Sequence, residues 1–206
     1  MGLSFESQEA VMKAIILNGA PKGNKSLDQA AKLLTEELAN RKWETLSFQL
    51  RDLSITACRG CFKCWMETPG QCHIKDDGNE LTKNLAQSRL LVFLTPVSFG
   101  GYGSLLKAAM ERAILPSLLP YMTKRKGETH HPLRYGHGIA LIGVGQLPKK
   151  DSKGEKIFKN IVKANAKNLD SPAQTCGFLY DGMSEKDIHG RMCLLAANAG
   201  GNHENG

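Results

Sequence analysis

Residues 13–26 read KAIILNGAPKGNKS, and this stretch decides the fold. The apolar run at its start, KAIILN, ends at Gly19, which is typical of a parallel strand that is buried on both faces. A turn rich in Gly and Asn follows. A helical pattern then begins at Ser26, with Gln29 in the place of a capping-box partner. The stretch therefore predicts a strand, a loop and a helix in direct succession.

The same unit recurs along the chain. The predicted strands are 13–18, 44–50, 89–95, 138–144 and 175–180, and the predicted helices are 26–41, 77–88, 104–115 and 155–169. The strand at 44–50 alternates apolar and polar residues, as an edge strand does, and the second helix has Asp77 and Glu80 as its predicted cap. Strands that alternate with helices indicate a doubly wound parallel α/β sheet.

Length and composition favour one cytoplasmic domain. The chain has 206 residues, 41% hydrophobic and 23% charged, which suffices for a single core. We expect this domain over 13–199, after an N-terminal extension, 1–12, and before a disordered tail, 200–206. The chain has no apolar run of 18 residues and no signal-like start, so we expect a cytoplasmic protein without a membrane span.

The net charge of +7 is scattered along the chain. A basic protein without a basic stripe is a weak candidate for nucleic-acid binding, so we expect no nucleic-acid partner. The charge is compatible with anionic small ligands, such as the phosphate of FMN or NADPH.

The loop after the first strand is a candidate anion site. Backbone N–H groups and the positive end of the helix dipole would converge there, with charge from Lys22 and Lys25 and donors from Asn24 and Ser26. An ordinary turn would have the same composition. The loop also differs by one residue from a nucleotide-binding P-loop, but no acidic residue ends the strand at 89–95, which makes an NTPase the weaker interpretation.

Two later strands also end in glycine-rich loops, TPVSFGGYGS at 95–104 and GVG at 143–145. Glycines let a backbone approach a flat ligand closely, and aromatic or apolar side chains pack against its ring. Glycines also close ordinary turns. Three such strand ends in succession favour a bound cofactor.

Four cysteines lie close together, in the pattern Cys58-x2-Cys61-x2-Cys64-x7-Cys72. In a cytoplasmic protein this clustering favours metal or redox use over disulfides. Three interpretations stay open, namely a [4Fe–4S] cluster, a zinc site with four cysteine ligands, and a folded loop of reduced thiols.

Three motifs together resemble the NADPH-dependent FMN reductase and iron–sulfur flavoprotein group. They are NGAPKGNKS, CRGCFKCWMETPGQC followed by KDD, and TPVSFGGYGSLLKAAMER, and the resemblance covers residues 13–145. It implies a flavodoxin-like fold of three αβα layers, with a five-stranded parallel sheet of order 2-1-3-4-5 and FMN at its switch point.

The resemblance also implies site residues. The FMN phosphate would lie on Gly19, Ala20, Pro21, Lys22, Asn24, Lys25 and Ser26, and the flavin ring on Pro96, Val97, Ser98, Phe99, Gly100, Gly143, Val144 and Gly145. Ser98 departs from the aromatic residue usual in this group, so no ring stacking is expected from its side chain. Iron–sulfur flavoproteins carry a [4Fe–4S] cluster on a compact motif like Cys58, Cys61, Cys64 and Cys72, whereas plain FMN reductases carry none.

The expected function is reduction of a flavin, quinone or other small acceptor by NADPH or NADH, with the chemistry on FMN and no catalytic side chain. The alternative is an electron carrier that receives electrons from a ferredoxin-like donor. Both fit a homodimer or homotetramer, as the resemblance implies. His130 and His131 are adjacent and would face different ways, so we interpret them as part of a structured polar loop.

Overall fold

A computed structural model describes residues 12–125 and 127–199. Its strands are β1 (Met12–Asn18), β2 (Trp43–Gln49), β3 (Leu90–Ser98), β4 (Gly101–Tyr102), β5 (Thr123–Arg125), β6 (Glu128–His130), β7 (Ala140–Leu147) and β8 (Gln174–Tyr180). The helices are α1 (Lys25–Ala39), α2 (Lys63–Met66), α3 (Gly78–Gln87), α4 (Ser104–Ile114), α5 (Ser152–Asn168) and α6 (Glu185–Ala199). Short 3₁₀ turns lie at Leu50–Asp52 and Leu115–Ser117.

The central sheet confirms the predicted order. Its main strands run β2-β1-β3-β7-β8, and each neighbouring pair is parallel. β2 lies at the edge, as its alternating pattern predicts. Met12 pairs with Trp43 at the start of β1, so it belongs to the sheet and not to the predicted N-terminal extension. Residues 1–11 of that extension and the tail at 200–206 lie outside the described residues.

Helices cover both faces of the sheet and explain why its central strands read as unbroken apolar runs. In β1, Ala14 and Ile16 face the layer of α1 and α6, whereas Ile15 and Leu17 face the layer of α3, α4 and α5. All four side chains are at most 1% exposed. The predicted three-layer αβα architecture is therefore confirmed. Within the described ranges, no helix is long and apolar enough to cross a bilayer.

The sequence analysis missed α6 and placed several boundaries wrongly. α6 buries Ile188, Met192 and Leu195 at helical spacing, but Gly190 interrupts its sequence and weakens the signal. α5 begins at Ser152 and not at 155, because the side chain of Asp151 accepts hydrogen bonds from the N–H groups of Lys153 and Gly154.

Candidate functional site

The first edge loop (residues 19–24) joins β1 to α1 at the carboxyl edge of the sheet. The predicted helix start at Ser26 is wrong, because Asn24 is the cap and its Oδ1 accepts from the N–H of Leu27 at 3.1 Å. The Asn24 amide nitrogen donates to Oε1 of Gln146 across the edge. The side chain of Asn24 therefore shapes the loop, and what remains for a ligand is the backbone and the start of α1.

A buried asparagine holds this loop in place. Asn18, with no exposed surface, donates from Nδ2 to Asp28 at 2.9 Å and to Gln49 at 2.8 Å. Its Oδ1 accepts from the N–H of Ala20 at 3.0 Å. Arg51 completes the network through an ion pair with Asp28 at 2.7 Å. The network ties the ends of β1 and β2 to the first turn of α1.

The rest of the first edge loop faces open space. Gly23 has φ +87°, and no atom lies within 4 Å of the place of its missing Cβ. Lys22 and Lys25 are exposed on either side of it, as is Pro21, whereas Ala20 is buried and Ser26 is half-buried. A helix N-terminus presents unpaired N–H groups and a partial positive charge. Together with the two lysines, it forms a cationic surface suited to a phosphate.

The second edge loop (residues 98–101) is a tight hairpin. The predicted end of the strand at Thr95 is wrong, because β3 continues to Ser98 and turns back into β4, with Ser98 opposite Gly101. Phe99 and Gly100 form the turn with φ of +51° and +80°, as a two-residue type I′ turn requires. The loop is thus a fixed rim at the edge of the sheet.

Phe99 stands at the tip of this rim with its side chain fully exposed, at 103% of the reference area. An aromatic residue gains nothing from solvent exposure, and a residue other than glycine in the left-handed region costs about 1–2 kcal/mol. A strained and exposed aromatic ring at a strand-end loop is typical of a functional position.

We expect the substitution F99N to raise the free energy of unfolding by about 0.5–1 kcal/mol, because Asn-Gly is the preferred type I′ pair. Urea unfolding of the two proteins measures the difference. F62N is the control: Phe62 also has positive φ, but its ring packs on Trp65 at 5.2 Å, so the gain there should be smaller or reversed. A loss of stability in F99N would show that the ring has packing partners.

The prediction that a third loop begins at residues 143–145 is wrong. Gly143, Val144 and Gly145 lie inside β7 and are buried, and the strand ends at Leu147. A Cβ on Gly143 would lie 2.6 Å from Val162 of α5, and one on Gly145 would lie 2.6 Å from Val97 of β3. These glycines admit neighbouring side chains into the core. Their contact with a flavin stays a prediction.

Gln146 is the residue of β7 that reaches the carboxyl edge. It is half-buried, accepts from Asn24 and donates from Nε2 to Asp181 at 3.1 Å. The sequence analysis missed Asn18, Arg51 and Gln146. Of these, the position of Asn18 immediately after an apolar run was the one available signal, since a buried polar residue there needs partners.

The cysteine loop (residues 53–77) leaves the same edge of the sheet and returns to α3. Its two stems, the segment up to Thr56 and the segment from Ile74 onward, are held together by Arg112 of α4. The side chain of Arg112 is 1% exposed. Arg112 forms a bidentate pair with Asp76 at 2.7 and 2.8 Å and donates to the carbonyls of Thr56 and Ile74. All four cysteines of the motif lie between these stems. The predicted motif is therefore a closed, internally supported loop.

Asp77 occupies the N-cap position of α3, as predicted, but its side chain makes no capping hydrogen bond to the helix. Its carboxylate accepts from the N–H of Ser54 at 2.7 Å, while Asp76 Oδ1 accepts from the N–H of Gly78 at 3.0 Å. Both aspartates therefore close the cysteine loop, Asp77 through Ser54 and Asp76 through Arg112, and Asp76 also binds the first N–H of α3.

The thiols lie near one another and near a buried positive charge. Burial, followed by the proximity of Cys72, Cys58 and Cys61, raises the pKa of the Cys64 thiol. Despite burial, the hydrogen bond to Asp76 and then the charges of Cys72 and Cys58 raise the pKa of Arg112. The guanidinium of Arg112 therefore lies within electrostatic reach of Cys72 and Cys58.

Among the described residues, the four thiols of the cysteine loop are not gathered as closely as a single zinc ion would hold them. Four thiolates at about 2.3 Å from one zinc ion would lie about 3.8 Å apart. In the described part of the chain, the group of three metal-ligating side chains gathered within 4.8 Å lies outside the cysteine loop. Cys61 instead lies 3.7 Å from Nδ1 of His73. Which metal group these thiols bind stays a prediction.

Acid should weaken the link between the stems. Burial raises the pKa of Asp76, but hydrogen bonds from Arg112, Thr56 and Gly78 outweigh it and hold the pKa at about 2. Because this lies below the unfolded value, the stabilisation of about 2 kcal/mol is present above pH 4 and lost between pH 4 and pH 2. Urea unfolding at several pH values should show wild type converging with D76N on acidification. E67Q, a change in the same loop, is the control. If the difference in stability between wild type and E67Q also disappeared on acidification, Asp76 would not be the origin of the effect.

The two histidines face different ways, as predicted. The His131 ring packs on Trp65 with 4.7 Å between ring centroids, and its Nδ1 lies 2.9 Å from the carbonyl oxygen of Leu119. His130 Nε2 lies 3.6 Å from Asp170 at the amino edge of the sheet. A groove of about 620 Å³ opens there between β6 and the end of α5. In parallel sheets, however, ligands bind at the carboxyl ends of the strands, and that edge is open here.

Comparison with known proteins agrees with this geometry. The model of the NADPH-dependent FMN reductase family matches residues 12–145, which hold both edge loops and the cysteine loop. An iron–sulfur flavoprotein of Methanocaldococcus jannaschii is 30% identical over 102 residues, 50% of this chain and 52% of the relative. Another, of Archaeoglobus fulgidus, is 34% identical over 99 residues, 47% of this chain and 48% of the relative. The matches thus span about half the length of these relatives.

The fold is shared with a solved NAD(P)H:quinone oxidoreductase from Methanothermobacter marburgensis. The TM-score is 0.69 at 12% identity, with 92% of this chain and 99% of that chain covered. This likeness shows the flavodoxin-like fold, whereas the family match covers residues 12–145 of the sequence. This chain belongs to the NADPH-dependent FMN reductase family.

Proposed function

We propose that this protein is an FMN-dependent oxidoreductase that uses NAD(P)H to reduce a small acceptor such as a flavin or a quinone. The observation that carries the proposal is the first edge loop, where a helix N-terminus, an open left-handed glycine and two exposed lysines form a cationic surface at the switch point of the sheet. The family match over this loop supports it. Bound FMN would supply the two-electron chemistry.

The residues of the chain would position the cofactor. Asn18 fixes the backbone of the first edge loop, and α1 directs its positive end at the phosphate. The hairpin rim with Phe99 lies at the end of β3, the neighbour of β1. Its exposed ring is suited to covering a flat nicotinamide or acceptor against the flavin. F99N should therefore lower kcat/KM with NADPH while it raises stability.

FMN titration of the ligand-free protein, followed by flavin fluorescence, tests the phosphate contact. We expect the double variant K22Q/K25Q to bind FMN about tenfold more weakly, as the loss of about 1.4 kcal/mol of charge-assisted interaction implies. Riboflavin, which has no phosphate, should bind both proteins alike. The control is K32Q on the same helix, whose side chain is 77% exposed and paired with Glu36.

Adding NADPH to the FMN-loaded protein without oxygen tests the reaction itself. Bleaching of the flavin absorbance, and its return on addition of a quinone, would support the proposed oxidoreductase. If the protein bound FMN but neither NADPH nor NADH bleached it, the reductase activity would be contradicted. Electron transfer from another donor would then be the remaining function.

A second candidate function is electron transfer through a [4Fe–4S] cluster on Cys58, Cys61, Cys64 and Cys72, with a ferredoxin-like protein as donor. The closed stems of the cysteine loop and the nearby Arg112 favour it, because a cluster with four thiolates carries net negative charge. The names of the archaeal relatives also support it.

Iron and acid-labile sulfide in anaerobically purified protein decide between the two functions. We expect C64S to lose both, while C176S, at a half-buried cysteine in β8, keeps them. If the wild type contained no iron and had full NADPH-dependent activity, the cluster would be contradicted, and flavin reduction would be the remaining function.

We also propose that the protein forms a homodimer or homotetramer. Four large apolar side chains are exposed in the cysteine loop and in the segment after α4, namely Phe62, Met66, Tyr121 and Met122, at 50% to 75% of their reference areas. A patch of this kind is typical of an interface. Light scattering of the wild type should give at least twice the chain mass of 22.5 kDa. The variant M66E/M122E should have a lower mass. A monomeric wild type would contradict the proposed assembly.

A further inference from the structure

Three side chains with metal-binding atoms meet on the face of the molecule away from the cysteine loop. His189 and Cys193 lie one turn apart on α6, and Glu37 faces them from the last turn of α1. Their ligating atoms all lie within 4.8 Å of one another. The three residues come from two helices and from positions 156 residues apart, between Glu37 and Cys193, so sequence spacing does not reveal them.

The distances match the edges of a metal tetrahedron. Nε2 of His189 lies 3.5 Å from Sγ of Cys193 and 3.6 Å from Oε1 of Glu37. A tetrahedral zinc ion with Zn–N of about 2.05 Å, Zn–S of about 2.3 Å and Zn–O of about 2.1 Å places nitrogen and sulfur about 3.5 Å apart, and nitrogen and oxygen about 3.4 Å apart. Nε2 is the ring nitrogen nearer to Cys193, at 3.5 Å against 4.0 Å for Nδ1, and it also faces Glu37, which a shared ion explains. In a Cys–His–Glu hydrolytic triad, the two partners would contact different ring nitrogens.

The surroundings favour a cation. Glu37 lies in the last turn of α1, where the helix dipole is negative. Its second oxygen, Oε2, lies 3.9 Å from Arg41, which holds the carboxylate in orientation as an outer partner does. Half of the His189 side chain, 52%, is exposed, so the fourth coordination position is open to solvent.

We infer that Glu37, His189 and Cys193 form a binding site for a borderline-soft divalent metal ion of the Zn²⁺ class, with a fourth position open to water or another small ligand. The three donors are the carboxylate, imidazole and thiolate that such ions prefer, and hard ions such as Mg²⁺ or Ca²⁺ would be excluded by the thiolate and imidazole. An ion here would link α6 to α1 across the outer layer. The site is independent of the cofactor and of the cysteine loop.

Metal titration of the chelator-stripped full chain tests the site, with a chromophoric chelator as competitor for Zn²⁺. The cysteine loop is silenced by C61S/C64S in all proteins, so that one site is counted. We expect one equivalent of Zn²⁺ in this background, none after the further change C193S or H189A, and binding at least tenfold weaker after E37Q. E36Q is the matched control, because Glu36 is adjacent but pairs with Lys32.

Cobalt gives an independent reading of the ligands. Co²⁺ in the same background should show a thiolate-to-cobalt charge-transfer band that disappears in C193S and stays in C176S. The absence of this band with Co²⁺, or an equivalent of Zn²⁺ that survives C193S and H189A unchanged, would overturn the proposal. Circular dichroism of each variant verifies that the fold is kept, and His189 and Cys193 are both outside the fully buried core.

Discussion

Replacing Arg112 with Met lowers the free energy of unfolding by about 3–5 kcal/mol, the cost of leaving a buried charge without its partner. The carboxylate of Asp76, 9% exposed, would remain charged against an apolar side chain, and the carbonyls of Thr56 and Ile74 would lose their donor. The stems of the cysteine loop would separate. Urea unfolding measures the energy, and the same variant should be purified with less iron if the loop holds a cluster.

Arg51 provides the matched control. Its pair with Asp28 has the same distance of 2.7 Å, but the two side chains are 21% and 33% exposed. R51M should therefore cost at most about 1 kcal/mol. The double variant R112M/D76N should recover part of the loss, since it removes the unpaired charge. Equal losses in R112M and R51M would mean that burial of the ion pair is not what holds the loop.

Replacing Asn18 with Ala lowers the free energy of unfolding by about 2–4 kcal/mol and weakens FMN binding at least about tenfold. Three groups lose their buried partner, namely the carboxylate of Asp28, the side chain of Gln49 and the N–H of Ala20. An unsatisfied buried group costs about 1–3 kcal/mol, which applies in full to the N–H of Ala20, whereas Asp28 keeps Arg51 and the half-buried Gln49 regains part of the loss from water. The loop backbone would then sample conformations in which its N–H groups no longer converge on a phosphate.

Two measurements separate these effects. N84A on the outer surface of α3, which removes a hydrogen bond to Glu80, should leave both stability and FMN affinity nearly unchanged. Stability is measured without FMN, so its loss in N18A does not depend on the proposed cofactor. An N18A protein as stable as wild type would contradict the structural role of the network.

The fold was predictable because its strongest signals are local. Buried strands such as 13–18 and 89–95 read as apolar runs, and the order of strands and helices follows the chain. The predicted helix and strand boundaries were wrong where a contact with a residue far along the chain determines them. Asn24 and not Ser26 caps α1, with an amide that also contacts Gln146. β3 runs beyond Thr95 because β4 pairs with it.

The candidate site was predictable as a set of loops but not as a geometry. The two edge loops lie where the pattern predicts, at neighbouring strand ends. The glycines at 143 and 145 carried a misleading signal, because a glycine needed for packing and one needed for a ligand look the same in sequence. Arg112 gave no signal either, since a charged residue in a helix is normally expected at its surface.

The same glycines of β7 restrict how the sequence changes over generations. Gly143 leaves space that Val162 fills, and Gly145 leaves space that Val97 fills. Enlarging either glycine alone overpacks the core, and shrinking either valine alone leaves a cavity, so each single step costs about 1–3 kcal/mol. The two members of a pair can therefore exchange volume only together. Among homologues, Gly143 and Val162 should vary as one unit, and Gly145 and Val97 as another.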